Sequence, residues 1–378
     1  MIRPLSTRPP GPPFRAAAPW KIVLLVAVAI WGRGRAQRQA APWKIVLLLV
    51  AVAMASALSA CVPQPNLEVR MGIVGGSQPL WRYVAAQREQ LLAPSGYQVS
   101  FAAYPSEAAL KESFLNREVD VMATLPPQLP ALFQGGVEVQ YFLPIAWLKE
   151  GYPIIVPTES AIRSPADLSG AKLSTFPSDH PGLAYWQAFI QENYGFRLAD
   201  RTSLILSQNP EVSLLSGEAD AATIDSVAWG QLKGQGKYRA VSDLATEWAK
   251  LSGSPRPLLY GGYVARREWV EKDRRFVDDF IQANYKALQA YQKDQKAFLQ
   301  IAAAYTDVNV PSMDVEVLQS VASYLGMPEV PPERAYVTQS DVSDYDRVFQ
   351  LLVKSGYLKG NLPPASSLFY VSASRPKG

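Results

Sequence analysis

The stretch LEVRMGIVGGSQPLW, residues 67–81, changes its pattern twice. Apolar and polar side chains alternate up to the pair Gly75 and Gly76, which is typical of a strand that runs into a tight turn. Pro79 then opens a helical pattern over residues 79–92, because proline is tolerated in the first turn of a helix. The stretch therefore predicts a strand, a glycine turn and a helix.

The same order of elements continues along the chain. YQVSFAAYPS (97–106) predicts a second strand, residues 107–116 a second helix, and VDVMATLPP (119–127) a third, short strand. Strand–helix–strand units with short loops indicate a parallel sheet with helices on its faces. Ligands of such sheets bind outside the carboxyl ends of the strands. Here these ends are residues 75–77, 104–106 and 124–126.

A second region has the same organisation. SPADLSGAKLSTF (164–176) predicts a short helix that Ser164 caps, with Pro165 in its first turn and Gly170 as a left-handed stop. The elements predicted after it are a strand at 171–176, a helix at 181–194, the strand SLILSQ (203–208), a helix at 210–215 and the strand region ADAATIDS (219–226).

Two stretches of these regions resemble each other. SFLNREVDVMA (113–123) and SLLSGEADAAT (213–223) share Ser, Leu, Glu and Asp at matching positions. Each predicts a helix end, a tight turn and a short buried strand. The match indicates that both regions use one architecture.

The N-terminal part contains one apolar phrase twice, APWKIVLLVAVAI (18–30) and APWKIVLLLVAVAMASALSAC (41–61). Basic residues before an apolar stretch are typical of export signals, and both stretches are shorter than the about 20 residues of a membrane-spanning helix. The second copy ends in LSAC, which resembles the lipobox of bacterial lipoproteins. Cys61, the only cysteine, is therefore the predicted lipidation site. The first copy is a tandem duplication or the result of a misassigned start.

The charge of the chain depends on this segment. Eight of the 37 Lys and Arg residues and none of the 33 Asp and Glu residues lie within residues 1–61. The remainder carries 29 basic and 33 acidic side chains, a net charge of −4. No basic surface for nucleic acid is expected.

Motifs of catalysis are missing from the sequence. A single histidine, His180, excludes His-rich metal sites, and the lack of a second thiol excludes disulfides and Cys–His catalysis. The chain has no G-x-S-x-G motif, and GQGKYR (234–239) lacks the rest of a phosphate-binding loop. The carboxylates of DVSDYD (341–346) do not have EF-hand spacing and predict a helix cap. We expect no enzyme activity, cofactor or metal.

Four stretches together resemble a known family. They are VRMGIVGGSQPLW (69–81), LNREVDV (115–121), ESAIRSPADLSGAKL (159–173) and LLSGEADA (214–221). They are similar to the type 2 periplasmic binding proteins, specifically the branch that binds sulfonates, nitrate and thiamine precursors. The resemblance covers most of residues 67–368, although Ala171 stands where the family usually has Lys.

The resemblance implies an α/β fold with two lobes, each a mixed, mostly parallel sheet flanked by helices. Two hinge crossings, near residues 143–157 and 257–264, would join the lobes. The large lobe would comprise 67–151 and 257–368, and the small lobe 152–256. The remaining predicted segments are a duplicated signal at 1–60, a lipid-attached tether at 61–66 and a tail at 369–378. Helical spacing of aromatic residues in 267–296 predicts core packing there.

The gap between the lobes is the expected binding site. Predicted helix N-termini near 77–81 and 178–181 suit anions, and aromatic rings suit a flat heterocycle. The aromatic residues could instead be core residues, and His180 and Asp225 could be simple helix caps. The predicted ligand-binding residues are Ser77, Gln78, Trp81, Tyr104, Ser106, Thr124, Thr175, Ser178, Asp179, His180, Asp225, Tyr260 and Tyr263.

The expected function is that of a lipid-anchored, exported solute-binding protein of a bacterial ABC importer. It would capture a sulfonate-like anion or a pyrimidine or other aromatic heterocycle and deliver it to a permease with its ATPase. We expect a monomer that does not bind nucleic acid. One alternative is an enzyme of the same fold related to thiamine pyrimidine synthesis. Another is a sensory ligand-binding module, which would need a signalling domain, and the sequence shows none after Leu368.

Overall fold

The computed structural model describes residues 68–74, 79–92, 96–148, 152–307, 311–327, 331 and 334–372. These residues belong to the compact unit Pro65–Gly378. The two apolar repeats, Cys61, Ser77 and Gln78 lie outside the described residues. None of the described helices is long and apolar enough to cross a membrane.

The described residues form ten strands. They are β1 (Glu68–Val74), β2 (Gln98–Tyr104), β3 (Val121–Thr124), β4 (Val139–Trp147), β5 (Ile154–Pro157), β6 (Lys172–Thr175), β7 (Ser203–Leu206), β8 (Ala221–Thr223), β9 (Tyr238–Ser242) and β10 (Leu259–Arg266).

Fifteen α-helices lie in the same described ranges. They are α1 (Pro79–Ala86), α2 (Arg88–Leu91), α3 (Glu107–Leu115), α4 (Leu129–Gln134), α5 (Pro181–Tyr194), α6 (Leu198–Arg201), α7 (Pro210–Leu215), α8 (Ser226–Lys233), α9 (Leu244–Ser252), α10 (Arg267–Lys272), α11 (Arg274–Lys293), α12 (Gln295–Ala304), α13 (Val315–Tyr324), α14 (Gln339–Lys354) and α15 (Ala365–Leu368). Short 3₁₀ turns are Pro126–Gln128 and Pro165–Leu168.

The strands form two five-stranded sheets of the same design, in the orders β2-β1-β3-β10-β4 and β7-β6-β8-β5-β9. In the first sheet β1 is parallel to β2 and β3, and β10 is antiparallel to β3 and β4. In the second sheet β6 is parallel to β7 and β8, and β5 is antiparallel to β8 and β9. The predicted α/β architecture with two mixed, mostly parallel sheets is confirmed.

The sheets correspond to two separate parts of the chain. All strands of the second sheet lie between Ile154 and Ser242, and the first sheet takes strands from both sides of this stretch. The two connections run side by side, since the Leu148 amide donates to the Leu258 carbonyl oxygen at 2.9 Å. The predicted boundaries of the lobes themselves stay a prediction.

The two similar stretches of sequence adopt the same hydrogen-bonded arrangement. The Arg70 amide donates to Asp120 Oδ2 at 3.0 Å, and the Asp120 amide donates to the Arg70 carbonyl oxygen at 2.8 Å. In the second sheet the Lys172 amide donates to Asp220 Oδ2 at 2.8 Å, and the Asp220 amide donates to the Lys172 carbonyl oxygen at 2.9 Å. Asp120 therefore fixes the start of β3 beside β1, and Asp220 fixes the start of β8 beside β6.

Local sequence accounts for the limits of several elements. The helix predicted at 181–194 is α5, and Gly195 ends it with a left-handed φ of 74°. Gly170 has a φ of 84° after the turn in which the Asp167 carboxylate accepts from the Ser164 amide at 2.8 Å. Accepting backbone and side-chain hydrogen bonds of Arg163 and Ser164 lowers the pKa of Asp167.

Two stretches with helical spacing contain a break. Residues 267–296, whose aromatic residues were predicted to pack in the core, form α10, α11 and the start of α12. The breaks fall at Asp273 and Asp294, and the Asp294 carboxylate accepts from the Ala297 amide at 3.0 Å to begin α12. Aspartate favours such caps because its short side chain bonds the first free amides of a helix. The predicted helix at 79–92 is likewise interrupted between α1 and α2.

The carboxylates of DVSDYD lie inside α14 and do not precede it. Thr338 caps this helix, and its amide donates to Asp341 Oδ2 at 2.9 Å. Asp341 is 1% exposed and also binds the guanidinium groups of Arg334 at 2.8 Å and Arg256 at 3.4 Å. The predicted cap cluster is therefore a capping box with one buried carboxylate.

Candidate functional site

A cavity of about 700 Å³ lies at the carboxyl end of the first sheet. Its walls come from three parts of the chain. They are the C-terminal end of β3 with the N-terminal end of α3, the loop between β6 and α5, and the segment that follows α14. Residues that follow a strand of each sheet thus border one cavity, Gln128 after β3 and Ser178 after β6, as expected for an α/β fold that binds ligands beyond its strand ends.

The first wall is a chain of polar side chains. Thr124, the last residue of β3, donates through Oγ1 to Gln128 Oε1 at 2.6 Å. Gln128 Nε2 donates to Glu107 Oε2 at 2.8 Å, and Glu107 begins α3. Ser106 caps α3, since its Oγ accepts from the Ala109 amide at 3.2 Å. These bonds fix the orientations of the Gln128 amide and of the Glu107 carboxylate at the cavity.

The second wall is the loop that enters α5. Ser178 and Asp179 line the cavity and are both exposed, and Gln187 and Arg197 extend the wall along and beyond the helix. The loop is short, and the His180 amide closes it by donating to the Pro177 carbonyl oxygen at 2.9 Å.

The third wall is the segment 355–359, which contains Tyr357. The Tyr357 hydroxyl donates to the Asp179 carbonyl oxygen at 3.2 Å and so connects this segment to the second wall. Burial, together with the smaller effect of the nearby charges of Glu107 and Asp179, raises the pKa of Tyr357 to about 12. The phenol therefore stays protonated at neutral pH and remains a hydrogen-bond donor.

Three cations line the cavity: Lys111, Arg197 and Lys359. Within the described part of the chain, none of the three forms an ion pair. Two acidic side chains, Glu107 and Asp179, also line it. The cavity thus offers unpaired positive charge together with uncharged donors and acceptors.

An aromatic cluster lies where the two connections between the sheets meet. The Tyr152 ring is 5.1 Å from Phe176, 5.6 Å from His180 and 5.6 Å from Tyr260, measured between ring centroids. Tyr152 has a φ of 50°, and its carbonyl oxygen accepts from Trp186 Nε1 at 2.8 Å. The rings pack against one another at these distances, so no flat molecule fits between them.

His180 caps α5, belongs to the aromatic cluster and directly follows the cavity residues Ser178 and Asp179. Its Nδ1 accepts from the Gly182 amide at 3.0 Å, and its ring stacks on Phe176 with centroids 4.3 Å apart. Burial lowers the pKa of His180, while Asp179 and Asp225 act in the opposite direction. The imidazole is thus held in its neutral form next to the second wall.

The predicted site residues fall into three groups. Thr124, Ser178 and Asp179 line the cavity. Tyr260, which is 6% exposed, and His180 belong to the aromatic region beside it. The remaining described residues of the prediction are found elsewhere: Trp81, Tyr104, Ser106, Thr175, Asp225 and Tyr263 do not line this cavity.

Two of these residues have core environments. Trp81 is 0% exposed, and its ring stacks on Phe101 at 5.5 Å and meets Tyr305 edge-on at 5.7 Å. Tyr263 is also 0% exposed, and its ring lies 5.6 Å from Phe280. Since neither ring is open to solvent in this conformation, we leave both out of the proposed ligand contacts.

The other four have hydrogen-bonding partners of their own. The Tyr104 hydroxyl pairs with Ser113 Oγ at 2.9 Å. Thr175 is completely buried and accepts from Thr223 Oγ1 at 2.6 Å, which connects β6 to β8. Asp225 caps α8 by accepting from the Ala228 amide at 2.8 Å, and Ser106 caps α3. The cap alternative considered for Asp225 therefore describes its observed contacts.

Sequence reasoning missed several residues that line the cavity: Glu107, Lys111, Gln128, Gln187, Arg197, Tyr357 and Lys359. Glu107 and Gln128 come shortly after the ends of β2 and β3, so their position after a strand could have indicated that they lie at the cavity. Tyr357 and Lys359 follow a helix far along the chain, and no local pattern indicates that they reach the cavity. In the described ranges, no three His, Cys, Asp or Glu side chains are placed to hold a metal ion.

The family of the chain follows from its sequence match. The family described as NMT1/THI5 like matches residues 84–297, more than half of the chain. The chain belongs to the NMT1/THI5-like family. The resemblance inferred from the four stretches of sequence is thereby confirmed. No curated protein matches this NMT1/THI5-like chain in sequence.

Solved structures similar to this NMT1/THI5-like chain include two sulfonate-binding proteins. The periplasmic aliphatic sulphonate binding protein SsuA of Escherichia coli has a TM-score of 0.62 at 16% identity, over 83% of this chain and 96% of that one. The alkanesulfonate-binding protein SsuA of Xanthomonas axonopodis pv. citri, bound to MOPS, has a TM-score of 0.59 at 16% identity, over 81% and 99%.

A third similar structure is the desulfurization enzyme DszB, with a TM-score of 0.54 at 13% identity, over 80% of this chain and 96% of that one. At these identities the likeness concerns the fold. The predicted two-lobed periplasmic-binding-protein fold is confirmed by it, and binding proteins and an enzyme both occur among the similar structures.

Proposed function

We propose that the chain is a solute-binding receptor of an ABC importer and has no chemistry of its own. The observation that carries the proposal is the cavity bordered by residues next to strands of both sheets, with Thr124 on one side and Ser178 and Asp179 on the other. A ligand held there touches both parts of the molecule at once. Its binding therefore favours the conformation in which the two parts are close.

The proposed receptor moves as two lobes. The large lobe comprises residues 67–151 and 257–368, and the small lobe residues 152–256. The adjacent connections near Leu148 and Leu258 are the proposed hinge, because the chain passes from the first sheet to the second near Leu148 and returns near Leu258. The closed shape would be recognised by a permease with its ATPase, and the receptor would act as a monomer.

The proposed ligand is a small organic molecule that carries an anionic group. Lys111, Arg197 and Lys359 supply positive charge without ion-pair partners among the described residues, and Thr124 and Gln128 supply fixed polar groups. The sulfonates named for the two SsuA proteins fit this description. The aromatic rings at the connections pack on each other, so stacking of a flat heterocycle receives less support than an anion does.

We test the proposal with thermal melting of the protein in the presence of alkanesulfonates, nitrate, pyrimidines and flavins. A ligand at a hundredfold excess over its Kd should stabilise the folded state by about 2.7 kcal/mol. Lys111→Ala should weaken this effect for an anion. Lys286→Ala, which changes a lysine of α11 that does not line the cavity, is the matched control. Absence of any shift across the whole set would contradict a transport receptor.

The proposal includes export and a lipid anchor at Cys61. The apolar stretch before LSAC and the lack of any other cysteine support it. The exported protein would be held at the bacterial membrane by its acyl chains, and attachment through more than one chain is stable. Labelled palmitate should enter the wild type and not Cys61→Ala. Equal labelling of both would rule the anchor out.

The likeness to DszB gives an enzyme as the second candidate. The two candidates differ in what happens to a compound that binds. Any compound that shifts the melting curve should be recovered unchanged after long incubation with a receptor. Formation of any product at a rate proportional to protein concentration would favour the enzyme.

A further inference from the structure

We propose that neutral His180 is a positioning residue for the cavity wall formed by Ser178 and Asp179, and that protonation of its ring releases this wall. The proposal rests on the proposed function only in taking the cavity as the binding site. It makes the position of this wall depend on pH through the protonation of one side chain, His180.

The first observation is the hydrogen bond that the ring accepts. His180 Nδ1 accepts from the Gly182 amide at 3.0 Å in the first turn of α5. A nitrogen that accepts carries no proton, so the ring is neutral and its hydrogen is on Nε2. An added proton on Nδ1 would face the Gly182 N–H group, and the cap would be lost.

The second observation is the close fit of the ring to Gly182. A Cβ atom at position 182 would lie 3.0 Å from His180 Nδ1 and 3.1 Å from Cε1. Glycine is a poor helix former, yet it occupies the second position of α5. Its missing side chain is what allows the imidazole to approach the amide.

The third observation is that the ring and the wall share one short stretch of backbone. Ser178 and Asp179 directly precede His180, and the turn is closed by the His180 amide donating to Pro177 at 2.9 Å. The amide of Leu183 donates to the His180 carbonyl oxygen at 3.1 Å. The ring is thus attached to the backbone one residue after Asp179, which lines the cavity.

The charged and titratable groups that face the ring come from three elements. Asp179 belongs to the same loop, Asp225 is the N-cap of α8, and the Tyr152 ring contacts His180 edge-on at 5.6 Å. The two carboxylates favour the protonated ring. Burial against Phe176 opposes them, as does the positive end of the α5 dipole.

The direction of the pH effect follows from this balance. Burial is the largest influence and lowers the pKa of His180 from its ordinary value of 6.5. The unfolded chain takes up a proton near 6.5 and the folded chain only at lower pH, so the folded state loses stability as the pH falls through this interval. The wall is held fully above pH 6.5 and is released below the lowered pKa.

The test uses ligand-free, full-length protein with ¹³C-labelled histidine. Because the chain has one histidine, its imidazole gives a single titration curve in an NMR series from about pH 8 to about pH 4. Hydrogen exchange of the His180 amide, which closes the turn of the wall, and of the amides of residues 182–184 is measured over the same series and expressed as protection factors. The wild type should show a pKa below 6.5 and a fall in protection of about tenfold at the same midpoint, which corresponds to one lost hydrogen bond.

Two variants separate the titration of the ring from other acid effects. His180→Asn keeps a cap acceptor but cannot titrate, so its protection should stay high across the series. Gly182→Ala places a Cβ 3.0 Å from His180 Nδ1, so the ring must shift by a few tenths of an ångström and its bond to the amide should weaken. Protection above the titration should then be lower than in the wild type, and the His180 pKa should move up towards 6.5. An unchanged protection factor through the wild-type titration would overturn the proposal. The same step in His180→Asn would also overturn it, since another group would then be responsible.

These readouts do not depend on ligand binding. Failure of the melting screen with a positive exchange result would reject the proposed function and leave the switch standing. A positive screen with no exchange step would reject the switch alone.

Discussion

Arg117 and Gly217 occupy matching positions in the two similar turns that precede β3 and β8. Their φ angles are 62° and 77°, in the left-handed region that glycine adopts without steric cost. Arg117 is therefore strained, and its ion pair with Glu268 at 2.8 Å joins side chains that are 68% and 64% exposed. Exposed pairs of this kind contribute little stability.

Replacing Arg117 by Gly should raise the free energy of unfolding by about 0.5–1 kcal/mol, because the strain outweighs the exposed ion pair and the added freedom of the unfolded chain. Gly217→Ala is the matched control. Nothing lies within 4 Å of a Cβ at that position, so its expected loss of about 1 kcal/mol comes from backbone strain alone. Urea unfolding measures both, and destabilisation by Arg117→Gly would contradict the argument.

Trp81 tests the distinction between core and site. Truncation of a completely buried indole leaves a large cavity, so Trp81→Ala should cost about 3–5 kcal/mol of unfolding free energy. Tyr104→Phe, which removes one hydroxyl bonded to Ser113, should cost about 1 kcal/mol. Denaturant unfolding of both variants decides the matter. A Trp81→Ala protein of normal stability but weakened ligand binding would return this residue to the site.

Residues of the candidate site were predictable from the sequence where they are polar and lie at the end of a strand. Thr124 ends a buried strand and Ser178 and Asp179 follow one, and polar residues at the carboxyl ends of parallel strands lie at the ligand-binding edge of the sheet. Tyr357 and Lys359 reach the same cavity through the packing of α14, which depends on contacts far apart in sequence. The sequence alone did not show that Trp81 is buried, because an aromatic residue next to a strand end has the same local signal in a core as in a cleft.

At the scale of elements, α14 connects the two parts of the molecule. It packs on α5, and the hydroxyl groups of Tyr345 and Tyr185 lie 3.0 Å apart. The Tyr345 hydroxyl also donates to the Leu259 carbonyl oxygen, which belongs to β10 of the first sheet. Lys354, its last residue, pairs with Glu192 of α5 at 2.5 Å. If the lobes move relative to each other, α14 must therefore either break its contacts with α5 or β10, or move together with one of them.

Asp341→Ala should destabilise the protein by about 3 kcal/mol, because it leaves the half-buried Arg334 without its carboxylate and removes the capping box with Thr338, while Arg256 keeps its ion pair with Asp344. Ser343→Ala, on the exposed side of the same helix, should change stability by less than about 0.5 kcal/mol. Urea unfolding measures the two. Equal, small effects would mean that the ion-pair network does not hold α14 in place.

Element limits followed from the sequence where glycine or a cap marks them, as at Gly195 after α5. The breaks at Asp273 and Asp294 escaped prediction because the apolar spacing continues across them. An aspartate within a helical pattern is compatible both with an exposed helical position and with a cap. Tertiary packing decides between them.

At the scale of the whole molecule, closure is the expected response to ligand. Small-angle scattering should show a smaller radius of gyration when a compound identified by the melting screen is added, since the ligand stabilises the state in which both walls contact it. Tyr357→Phe removes the bond to Asp179 and should reduce the change. Identical scattering curves with and without a bound compound would contradict hinged closure.

The strand order of the first sheet has a consequence for a growing chain. β5–β9 are all present once residue 242 has left the ribosome, so the second sheet can form from a continuous piece. In the first sheet β3 and β4 are joined only through β10, residues 259–266. During synthesis the second sheet can therefore form before the first sheet is complete. Until β10 is available, the edges of β3 and β4 that pair with it stay unpaired, and unpaired strand edges promote aggregation.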